Sequence, residues 1–140
     1  MNTTVARCVA ELEAHLGRFT ALSDDARHAC SSGDSDALAS ALDARDAVTR
    51  QMAPLVAALD EQRQALSRPD AVAAFDAAMR PLQLAAMLAG QRNALLAAHA
   101  QSARTAIGES IGRLGHDSAA QSAYAAVAER DEASQLDFTR

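Results

Sequence analysis

The chain has 140 residues and a formal net charge of −5, enough for one domain, and its acidic balance excludes a surface built to meet nucleic-acid phosphates. Hydrophobic residues make up 49% of it, yet Leu, Ile, Val and Phe together number only 26, so alanine carries the score and the core must be thin. Alanine orders at little cost, only three prolines and six glycines interrupt the chain, and no run alternates strictly, so the expected fold is all-α.

The first helix is expected from Val5, with Thr3 or Thr4 as its cap. Its apolar positions Val9, Leu12, Leu16, Phe19, Leu22, Ala26 and Ala29 recur in steps of three and four and share one stripe. The turn formers SSGDSD, residues 31–36, stop it near Cys30. The second helix, about residues 36–66, runs Leu38, Ala41, Arg45, Val48, Met52, Leu55, Leu59, Gln62, Leu66, a heptad seam with two polar exceptions. Pro54 removes one intrahelical hydrogen bond, and SRPD, residues 67–70, makes the next break.

The third helix is expected over about residues 70–114, on the seam Val72, Phe75, Met79, Leu82, Ala86, Ala89, Asn93, Leu96, Ala100, Ala103, Ile107, Ser110, Leu114. Pro81 should kink it and Gly115 end it. Asn93 takes an a position, where a buried amide lowers stability but sets register and partner number; the alternative is an amide at the stripe's wet edge. The remainder, residues 116–140, holds five acids against two arginines, with Tyr124, Val127, Leu136 and Phe138 as its large apolar residues. It reads as a mobile acidic tail with a short helix near residues 119–130.

The predicted architecture is therefore an elongated antiparallel three-helix bundle or coiled-coil hairpin over residues 1–115, with a long third helix and the tail at 116–140. At 1.5 Å per residue the second helix spans roughly 46 Å and the third roughly 67 Å. Residues 101–114 should then project, with Ile107, Ile111 and Leu114 on one side. Such a surface is covered either by the tail or a second copy of the chain, or by a dedicated partner.

Chemistry is sparse. Glu11 with His15 and Asp25 with His28 have helical ligand spacing, but neither pair recurs on a facing helix, so they read as solvated faces and no metal or other cofactor is expected. No phosphate loop or nucleophile set exists, and the expectation is that the protein is not an enzyme. Cys8 and Cys30 form no disulfide framework, the N-terminal stretch is acidic where a signal peptide needs an apolar block, and no run approaches about 18 apolar residues. A cytoplasmic location without membrane insertion is expected.

The stretches ALASALDARDAVTRQMAPLVAALDEQR and NALLAAHAQSARTAIGESIGRL, followed by Tyr124, resemble the flagellar export chaperones of the FlgN kind. The resemblance implies a type III secretion chaperone that holds helical segments of hook-associated proteins. It implies a client groove along Leu95, Leu96, Ile107, Ile111 and Leu114, and Tyr124 as a docking residue for the export gate. Tyr124 is followed here by AAVAERDE, where family tails continue Tyr-x-x-x-Gly. The alternative is a self-associating coiled-coil structural or adaptor protein, a homodimer whose register Asn93 sets.

Overall fold

The computed structural model describes residues 3–138 and side chains as far as Arg130. The Leu136 and Phe138 side chains lie outside the described residues. The fold is all-α: α1 covers Thr3–Ser32, α2 Ser35–Gln64, α3 Pro69–Ala78 and α4 Arg80–Phe138, and no strand occurs among the described residues.

Local chemistry explains the boundaries. Gly33 closes α1 with φ 72°, a left-handed conformation that costs glycine nothing. Its N–H reaches the Cys30 carbonyl at 3.4 Å and the Asp34 N–H reaches the Ala29 carbonyl at 3.0 Å, a Schellman pair that satisfies two orphan carbonyls. Asp34 then caps α2, its carboxylate accepting from the Ala37 N–H at 2.9 Å. α2 passes through Pro54 without interruption. Pro69 opens α3 at the first turn, where a missing N–H is harmless.

The expected third helix starts at Pro69 and is bent at Pro81, as its sequence implies, and is corrected at its far end. It breaks at Met79, and the axes of α3 and α4 meet at 44°. The cause is Pro81, which has no N–H for the Ala77 carbonyl and crowds that turn with its ring. The Met79 N–H is shared between the Phe75 and Asp76 carbonyls, at 3.1 and 3.3 Å. At the other end the helix does not stop at Gly115 but continues to Phe138. Gly33 is the only glycine with positive φ among the described residues, so Gly115 forms no left-handed cap. A glycine costs a helix interior only about 1 kcal/mol, and the alanine-rich run after it favours continuation.

The chain divides into two compact units, Met1–Gln101 and Ser102–Arg140. The core of the first is built at two levels. Val5, Cys8, Val9 and Leu12 of α1 pack with Leu59 near the end of α2 and with Met79, while Met52, Leu55, Phe75 and Leu82 border them. At the other level Ala26 of α1 meets Ala41 near the start of α2 and Leu96 of α4. Large side chains fill the first level, and two alanines with Leu96 the second. The second unit is helical, and every described side chain from Arg104 to Arg130 is exposed.

Candidate functional site

The two letters that break the apolar seams find each other. The Arg45 guanidinium of α2 donates a hydrogen bond from Nη2 to the Asn93 Oδ1 of α4. The same guanidinium lies over the Phe19 ring of α1, 4.5 Å from its centroid, a cation–π contact. Three helices are thus joined at one point. Asn93 is exposed, so it holds the wet edge of the stripe and its partner is in its own chain. Arg45 Nε is buried without an acceptor, which makes the remaining bond to Asn93 matter more.

Asn93→Ala is expected to lower the unfolding free energy by about 1 kcal/mol, the ordinary worth of a hydrogen bond left partly open to water. Urea unfolding reads it as a lower midpoint at unchanged slope; an unmoved midpoint would show that the contact contributes nothing. A second tie joins α1 to α4 near the Gly33 turn, where Ser31 Oγ and His99 Nε2 are 2.9 Å apart. At the opposite end Arg63 makes paired hydrogen bonds to Asp76 at 3.0 and 3.3 Å, and that carboxylate raises the arginine pKa above its ordinary value.

The residues assigned to one client groove separate. Leu96 is 6% exposed and belongs to the core with Ala26 and Ala41, whereas Leu95 is 49% exposed. Adjacent residues lie about 100° apart on a helix, so the two leucines cannot share a face. Ile107, Ile111 and Leu114 do share one, and they are 60%, 64% and 68% exposed. Within the same unit Tyr124 and Val127 are also exposed, but about 80° and 140° round the helix from Leu114. Neither covers the isoleucines.

A second apolar face was not visible in the seam. Leu84, Met87 and Leu88 are exposed with Leu95 on the outer side of α4, while the seam positions between them are Ala86 and Ala89. Volume was the missed signal: the bulky residues of this stretch lie off the seam and the small ones on it. Small seam residues also leave a groove of about 620 Å³, lined by Leu12, Leu16, Met52, Val56, Leu82 and Ala86.

Among the described residues no three His, Cys, Asp or Glu side chains gather as a metal site would require, and the Glu11/His15 and Asp25/His28 pairs gain no third member. Among the described residues no single helix is long and apolar enough to cross a membrane. The arrangement offers apolar helix faces. No protein-family model, curated protein or solved structure matches the chain.

Proposed function

We propose that the chain is a carrier of helical segments: a cytoplasmic flagellar type III secretion chaperone of the FlgN kind that binds hook-associated proteins before export, without cofactor or catalysis. Its frame in this reading is an elongated antiparallel three-helix bundle. One observation carries the proposal: Ile107, Ile111 and Leu114 form a single stripe, each more than half exposed, in a unit whose described side chains are almost all exposed. An amphipathic helix needs such a stripe to bury its own apolar face. The client class and the export gate as a further partner, through exposed Tyr124, come from the resemblance in sequence.

Magnitudes favour a loose grip. Burying the exposed part of each of the three side chains is worth roughly 1–2 kcal/mol, and roughly 4 kcal/mol in total corresponds to millimolar binding. Further contacts along a client helix bring the expected affinity to the micromolar range, suited to a cargo that must be released. Titration calorimetry of the full chain with terminal helices of hook-associated proteins tests this. Binding that weakens at least tenfold with Ile111→Asp is the expected result, and no binding to any such helix at hundreds of micromolar would defeat the reading.

The same three-four stripe supports the second reading, a self-associating coiled-coil structural or adaptor protein. Light scattering separates the two. A concentration-independent dimer that Ile111→Asp dissolves would favour the homodimer, and a monomer removes it.

A further inference from the structure

The outer face of α4 in the first unit carries chemistry that the carrier reading does not use. Leu84, Met87, Leu88 and Leu95 are all between 46% and 62% exposed. Leu84, Leu88 and Leu95 follow helical spacing over about three turns, the length over which one helix lies along another. Solvent exposure of this much bulk, while the buried seam position 89 behind it holds alanine, forgoes burial that a larger residue there would have supplied.

Along this stretch of α4 itself the charge has one sign. No aspartate or glutamate occurs between Asp76 and Glu109, although the chain as a whole carries −5. Arg80 precedes Leu84 by four residues, and Arg92 follows Leu88 by four and precedes Leu95 by three, so both arginines adjoin the apolar stripe. Arg80 is exposed. Arg92 Nη1 lies 3.8 Å from Asp24 Oδ1 of α1, too far for a hydrogen bond, and so keeps donors for another acceptor.

We infer that this face docks an amphipathic helix of a partner protein whose apolar stripe is flanked by aspartate or glutamate. Leucines meet the apolar stripe, and the flanking carboxylates meet Arg80 and Arg92. A second copy of the same face is a poor occupant, because it would bring only arginines to arginines. The inference stands apart from the carrier role, which uses the Ile107 stripe.

The test uses the full chain and two labelled 18-residue peptides with leucines at i, i+4, i+7 and i+11, one flanked by glutamate and the other by lysine, followed by fluorescence anisotropy at low salt. The glutamate peptide should bind at least tenfold more tightly than the lysine peptide. Leu84→Ser with Leu88→Ser should weaken it tenfold or more, and Arg80→Glu with Arg92→Glu should reverse the preference. All these side chains lie at the surface or near it, and the urea midpoint of each variant checks folding. Equal binding of both peptides, binding of neither, or a dimer that Leu88→Ser dissolves would overturn the inference. The designed peptides contain no flagellar sequence, so the result does not depend on the identity of any exported client.

Discussion

Leu12→Ala is expected to lower the unfolding free energy by about 3–4 kcal/mol, in the middle of the range for emptying a leucine site in a packed core. Leu12 is 2% exposed and sits among Val5, Val9, Leu59 and Met79, where α1 and α2 come together beside the α3–α4 break. The void cannot close easily, because Pro81 fixes the bend beside Met79 and Arg63 ties the end of α2 to Asp76. Domains of this size hold only about 5–15 kcal/mol in all, so the variant should lose roughly a fifth or more of its stability. Urea unfolding followed by circular dichroism measures it. A loss under 1 kcal/mol would mean that this level of the core is not tightly packed.

Ala26→Leu should cost about 2–3 kcal/mol, for the opposite reason. Ala26 is fully buried against Ala41 and Leu96, so the helices are held close by the absence of bulk and three extra carbons have nowhere to go. Overpacking of this kind is relieved by removing volume opposite. Ala26→Leu combined with Leu96→Ala should recover at least half of the loss, a coupling that a double-mutant cycle reads directly. If the two changes simply add, the two residues do not pack on each other as described.

Much of this was legible in the residue order. The three-four seams mark Leu12, Ala26, Ala41, Val48, Leu59, Ala89 and Leu96, all of which are buried. Periodicity reports the buried face of a helix because the face is fixed by 3.6 residues per turn, whatever the helix packs against. It reports less about ends and volumes. Gly115 looked like a stop because glycine favours left-handed caps, but a cap forms only where another conformation wins, and alanine on the far side favours more helix. Arg45 and Asn93 looked like separate faults in two seams; that they satisfy each other depends on the registry of α2 with α4, a tertiary fact. The outer leucines of α4 escaped because a search for apolar spacing credits alanine and leucine alike.

The exposure of the second unit's helical stretch bears on handling the protein. A helix whose described side chains from Arg104 to Arg130 are all exposed opens residue by residue at little cost, since few packed side chains back its hydrogen bonds. All thirteen basic residues of the chain are arginines, and Arg104, Arg113 and Arg130 stand on exposed turns of this stretch. Brief digestion with trypsin should therefore nibble the protein from that side first, leaving a resistant fragment that ends near Arg104, and whatever molecule settles on the isoleucines should slow the blade.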